Sequence, residues 1–360
     1  MVRTLSVLWS ILVLVACSPK KTESLHYEPF PEPSRQQSYR AQIFNNTYAF
    51  TYPSNMVLTD SLLIVQDNVN QEYAYHAFSR KTGDFLYSFG RKGRGPGEII
   101  TPGDMVTIDN RNHLLVTWDA NRKKQVRYRL PGHTGDSIFF DSESTILSTK
   151  GYNISDIMAN NGEYYAIGYI YPLRFGKLDK DSIRLLYSDY PQLTEDDEAN
   201  RSVWNYVSLV RMSPKGDRIV AATYVGTALE ILSVRQDSIQ SQRIRAVNPP
   251  IFRIVDGVKP KWVGLIDETI IGFIDIQVSD RFIYANLSNQ PLTEEGCDGS
   301  ESIWIFDWDA NPAGKMNLDR YIETFCVDEA DGTVYAASID QSSGEYELVK
   351  FSFDPNDFSE

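Results

Sequence analysis

An all-β ring of repeated units is the fold class this sequence predicts, and three observations carry it. Helical periodicity is almost absent after residue 40; short apolar runs alternate instead, bounded by turn residues. Tyr (21) and Phe (17) are abundant, and these side chains suit a pleated, half-buried surface. Tight polar turns recur at Asp60-Ser61, Asp109-Asn110, Asn160-Asn161-Gly162, Pro214-Lys215-Gly216, Ser279-Asp280 and Asp331-Gly332, and markers at 60, 110, 161, 216, 280 and 331 stand 50, 51, 55, 64 and 51 residues apart. A β unit repeating every ~40–50 residues is the period of propeller blades. Six markers predict a six-bladed β-propeller over residues 41–360.

The chain begins with an address. Arg3 precedes the apolar run Leu5 to Ala16, which is too short to span a bilayer and long enough for a signal-peptide core. Leu14-Val15-Ala16-Cys17 resembles a lipobox, which implies removal of residues 1–16 and acylation of the Cys17 thiol. Buried acyl chains, at about 0.8 kcal/mol per CH₂, anchor such a protein stably. Residues 17–40 contain Pro19, Pro29, Pro31 and Pro33 with few apolar residues, and read as an extended tether.

Each unit resolves into four strands. The first reads Met56 to Thr59, Leu62 to Gln66, Tyr73 to Phe78 and, after Lys81-Thr82-Gly83-Asp84, Phe85 to Phe89. The fifth unit is longest, and its excess, Ser288 to Glu301, is polar and reads as a loop insertion. The last unit offers only three strands. Ala41 to Phe50 is the expected fourth: pairing it there closes the ring and removes an exposed edge.

Composition narrows the function. Hydrophobic residues at 42% and charged residues at 23% exclude a disordered chain, a coiled coil and a multi-span membrane protein. A formal net charge of −13 argues against a nucleic-acid partner. Residues 80–130 run against that balance, with 11 Lys or Arg to 5 Asp or Glu. Within them, Arg122-Lys123-Lys124 and Arg127 read as a solvated outer strand.

The loop Gly90-Arg91-Lys92-Gly93-Arg94-Gly95-Pro96-Gly97-Glu98, following Phe85 to Phe89, resembles the mark of the six-bladed, TolB-like β-propeller lipoproteins of Bacteroidota. Ile303 to Asp309 with Asn311-Pro312, Leu318-Asp319, and Phe282 to Ala285 fit the same family. The resemblance implies the fold and the lipid anchor and little chemistry. Surface-exported members often carry an acidic run after the lipidated Cys; none follows Cys17, which points to the periplasmic face of the outer membrane.

The glycine loop is the main candidate site. Its N–H groups can converge into an anion-binding nest, with Arg91 and Arg94 presenting planar forks and Glu98 orienting one of them. A plain blade-to-blade connector is the alternative. Trp204 and Tyr206 either stack on sugar rings or peptide side chains, or fill an inter-sheet core. Cys297 and Cys326 either form a disulfide, which an oxidising compartment permits, or remain thiols. Asp307, Asp309 and Asn311 start like a calcium loop, but Pro312 and Leu318 break the pattern, so a β-turn is expected. No His-Glu-x-x-His, Gly-x-Ser-x-Gly or dinucleotide fingerprint occurs, so no catalytic residue, metal or cofactor is assigned. The expected function is that of a monomeric, non-catalytic binding or scaffold lipoprotein. A glycan, peptide or envelope protein would sit at the mouth of its central channel. The competing expectation is a propeller hydrolase or lyase acting on carbohydrate.

Overall fold

The computed structural model describes residues 27–131, 138–145, 152–170, 172–179, 182–187, 189–192, 207–236, 238–248, 250, 253–255, 262–294, 296–340 and 342–358. Four antiparallel four-stranded sheets follow one another. The first holds Pro53–Leu58, Leu62–Asp67, Tyr73–Ser79 and Phe85–Arg91, and the second Pro102–Asp109, Leu114–Asp119, Lys124–Arg129 and Phe139–Thr145. Asp156–Asn160, Glu163–Ile170, Leu173–Asp179 and Ser182–Tyr187 make the third. Ser208–Met212, Arg218–Thr223, Ala228–Arg235 and Ser238–Ala246 make the fourth. Arg253–Val255 and Trp262–Gly264 form a separate two-stranded ribbon.

The remaining strands form one eight-stranded sheet. Its hinge is the 17-residue strand Pro312–Asp328. The first half of that strand pairs with Ser300–Asp307, and its second half, from Ile322, pairs with Thr333–Ile339. Ile270–Val278 and Phe282–Pro291 lie on one side of the hinge, and Tyr346–Ser352 on the other.

Alternation builds the cores. Each strand offers side chains to both neighbouring sheets. Leu62, Ile64 and Tyr75 of the first sheet pack with Leu115, Val126 and Tyr128 of the second. Met56, Leu63, Val65 and Phe78 turn the other way, onto Cys326, Tyr335, Ala337 and Leu348 of the last strands. First and last sheets are therefore neighbours. Within each sheet the first two strands meet in a tight turn at one end of the ring, the hairpin end; connections between sheets run at the other.

Three expectations change in detail. Of Ala41 to Phe50, only Gln42–Asn45 is a strand, paired antiparallel to Tyr346–Ser352 with Ile43 opposite Val349. The Asn45 carboxamide stops it by accepting the N–H groups of Thr47 and Tyr48. The polar segment from Ser288 is not all loop: Gln290 and Pro291 extend a strand opposite Ile271 and Ile270, because ladder bonds at a sheet end require no apolar side chain. The tether, expected over 17–40, does not reach residue 40. Gln36–Tyr39 pairs parallel to the hinge strand, from Lys315 to Leu318. Phe30 is buried against Phe273, Trp304 and Phe306. A proline-rich composition disfavours regular structure; it does not prevent one aromatic ring from docking in a groove.

Candidate functional site

The first strands of the four-stranded sheets line an axis, and side chains on first and second strands tie neighbouring sheets together. The Gln66 amide donates to Gly103 O at 2.9 Å, Asn160 Nδ2 to Ser213 O at 2.9 Å, and Gln277 Nε2 to Phe325 O at 2.9 Å. The Ala159 N–H donates to Thr107 Oγ1 at 3.0 Å.

An axial cavity of about 270 Å³ lies between the strands. Val57, Val106, Met158, Met212, Val278 and Val327 supply much of its apolar wall. Arg211 is the one charged residue among its described lining residues. The Arg211 side chain is only 10% exposed, donates from Nη1 to Val210 O at 3.1 Å, and stands 3.6 Å from Asp275. Asp275 is held separately, accepting from Thr324 Oγ1 at 2.7 Å and Phe325 N at 3.1 Å. Burial pushes the Asp275 carboxyl above the usual carboxylate range.

The cavity opens at the hairpin end into a vestibule of about 660 Å³, with which it shares Leu58, Ile108, Asn110 and Val327. Asp60, Arg80, His113 and Asp328 stand around this vestibule. Arg80 is committed there: it pairs with Asp328 and Asp331 and donates to Thr59 O, joining the first sheet to the last.

The glycine loop lies at the opposite end. Glu98 does not orient an arginine; its carboxylate accepts the Gly95 N–H at 2.7 Å and closes the loop on itself. Arg122, read from sequence as solvated, is the loop's clamp. Its side chain is 9% exposed, donates to Gly95 O and Glu98 O, and forms a two-pronged pair with Glu143. A lone basic run hides this role, because only the fold brings Arg122 under residues 95–98. Arg91 and Arg94 stay exposed. Gly97 has φ +72°, and a Cβ there would lie 2.7 Å from the Phe140 ring. Gly97→Ala should therefore lower stability by about 1–3 kcal/mol, and Arg94→Ala should stay within about 0.5 kcal/mol. Urea unfolding of both variants checks this; equal losses would contradict it.

Cys17, Trp204 and Tyr206 lie outside the described residues. Cys297 and Cys326 are both free thiols. Cys326 is buried in the core between last and first sheets, whereas Cys297 sits in the turn after Pro291, its thiol against Leu292 O. Asp307 closes a β-turn, accepting the Asp309 and Asn311 N–H groups and the Asn311 amide. No grouping of three potential metal ligands occurs among the described residues. His76 is a buried strand residue bonded to Tyr48 and Ser88, and burial lowers its pKa to about 4, so it is neutral at pH 7.

One carboxyl was not anticipated. Glu323 is 7% exposed and accepts from the Tyr346 hydroxyl at 2.9 and 3.1 Å. Burial, with Asp298 nearby, pushes it up to about 7. The folded chain thus holds a proton that the unfolded chain releases above about pH 4.5. Stability contributed here falls as pH rises from about 4.5 to 7 and is flat above. Glu323→Gln should gain about 1 kcal/mol at pH 8, after discounting for partial solvent access, and nothing at pH 4. Denaturant melts at both pH values read this, and a gain independent of pH would contradict it.

Sheets packed face to face around an axis lined by their first strands define a β-propeller. The chain belongs to the TolB-like 6-blade propeller-like family, whose pattern matches residues 30–330. A protein from Bacteroides fragilis described as exported is similar at 14% identity, over 88% of this chain and 98% of that one, with a TM-score of 0.56. A member of the DUF4221 family from Bacteroides vulgatus is similar at 10% identity, over 93% and 98%, with a TM-score of 0.55. At such identities the likeness is one of fold. No curated protein matches the chain.

Proposed function

We propose that this chain is a lipid-anchored periplasmic propeller that holds a ligand in its axial cavity without transforming it. The observation that carries the reading is the cavity itself, built from the first strands around the axis and holding one buried cation, Arg211. The ring is best counted as six blades. The strand Pro312–Asp328 serves as outer strand of the fifth and inner strand of the sixth, and Gln42–Asn45 completes the sixth. Closing a ring with its own N-terminal strand removes two open edges. The lipobox at Cys17 and the exported relative support placement in the envelope, anchored in the outer membrane and facing the periplasm. Exposed Arg91 and Arg94 supply a second anion contact at the rim opposite the vestibule.

A thermal-shift screen of the protein against glycans and peptides, with product analysis of every hit, tests this reading; turnover of a hit would overturn it. Cys17→Ala should abolish labelling by radioactive palmitate, and labelling that persists would remove the anchor. The rival reading, a hydrolase or lyase acting on carbohydrate, draws on Glu323, a carboxyl held near neutrality beside Tyr346.

A further inference from the structure

Resting on the binding reading of the axial cavity, we infer that its ligand is a short-chain aliphatic carboxylate. The carboxylate sits on the Arg211 guanidinium, and the hydrocarbon lies along Val106, Met158, Met212 and Val278.

Arg211 is a cation short of partners. Five N–H groups radiate from a guanidinium. Among the described residues it makes one hydrogen bond, to Val210 O. Its contact with Asp275, at 3.6 Å, is electrostatic and too long for a hydrogen bond. Asp275 in turn has its own donors in Thr324 and Phe325, so it does not draw the guanidinium away from the cavity. A buried charge with unused donors is costly until something completes it. A carboxylate does so with two parallel bonds.

The rest of the wall selects what the carboxylate carries. The amide groups of Asn160 and Gln277 are tied to carbonyls of neighbouring blades. Thr107 accepts the Ala159 N–H, Asn161 donates to Pro214 O and Asn110 stands where the cavity meets the vestibule; the wall along Val106, Met158, Met212 and Val278 is aliphatic and thioether. Sugar hydroxyls laid there would lose water without gaining partners. An alkyl chain gains with every CH₂ it takes out of water. The volume of about 270 Å³ limits the chain to a few carbons; pockets for drug-sized ligands begin near ~300 Å³. The vestibule supplies the entry, where Arg80 is shared between Asp328 and Asp331.

Isothermal titration of the full chain with hexanoate, hexanol and inorganic phosphate tests the assignment. Hexanoate should bind saturably, and hexanol and phosphate about 10-fold more weakly or worse. Arg211→Gln should weaken hexanoate by about 10-fold or more, and Arg211→Lys by less, because it keeps a charge opposite Asp275. Val278→Phe fills the cavity without touching the ion pair, so it should also abolish binding and guards against an Arg211 variant that fails to fold. Equal binding of hexanol, binding of phosphate as tight as hexanoate, or hexanoate retained by Arg211→Gln would each overturn the inference. If no probe binds but a glycan or peptide does, the inference fails and the binding reading stands. Turnover of any hit removes the binding reading itself.

Discussion

Phe30→Ala should cost about 3–5 kcal/mol, the range for emptying a phenylalanine site in a packed core. The ring is 5% exposed and meets Trp304 and Phe306 edge-on, at centroid distances of 5.7 and 5.2 Å. It fills a wedge between the fourth and fifth blades, where Leu229, Ile231, Phe273 and Phe306 converge. The flanking chain adds polar ties. The Ala246 N–H donates to Glu28 O, Arg245 donates to Pro29 O, and Glu28 pairs with Arg243 and Arg245. The Lys315 N–H donates to Arg35 O. The two ion pairs share the exposed Glu28 carboxylate and are worth little. Phe30 is therefore the anchor on which the segment depends. Without it, residues 27–35 should detach and Arg35 should become a site of tryptic cleavage. Equilibrium unfolding and limited trypsinolysis read the two consequences. An unchanged melt with no new cleavage would mean that the segment is held by its ladder pairing alone.

The period of the fold was legible because turns are chemically distinct. Expected strands such as Leu62 to Gln66 and Tyr73 to Phe78 match Leu62–Asp67 and Tyr73–Ser79 almost residue for residue. Alternation and turn chemistry are local, and local signals survive in a single sequence. Phe30 was not legible. It stands among Pro29, Pro31 and Pro33, and its groove is assembled from residues some 200 or more positions away. The axial site was hidden for the same reason. Arg211 looks like the charged end of an ordinary strand, and Asp275 lies on the next sheet; only the packing of the two sheets sets them together. The glycine loop was conspicuous in composition, and its Gly95 N–H and the Gly95 and Gly97 carbonyls are taken up by Glu98, Arg122 and Tyr128. Conspicuous sequence marked a demanding turn, while the cavity was built from unremarkable strand residues.

Arg174→Met should cost about 3–5 kcal/mol at pH 7.5, and the cause should be the charge it leaves behind. Arg174 on the third blade and Glu230 on the fourth form an ion pair with side chains 7% and 3% exposed. Arg174 also donates to Asp189 O at 3.3 Å and lies over Phe175, Tyr187 and Tyr190. Glu230 has less support: its Oε1 is buried with no hydrogen-bond partner. Removing the guanidinium strands a buried carboxylate between the third and fourth sheets, near Tyr187. The double variant Arg174→Met/Glu230→Leu removes both charges and keeps comparable volume. It should recover most of the loss, since an apolar replacement of a buried pair is often neutral or better. Chemical unfolding of wild type, both single variants and the double variant gives the coupling directly. If the double variant is as unstable as Arg174→Met, the loss belongs to the stacking of Arg174 on its three rings. The pair would then be a packing element in which charge is incidental.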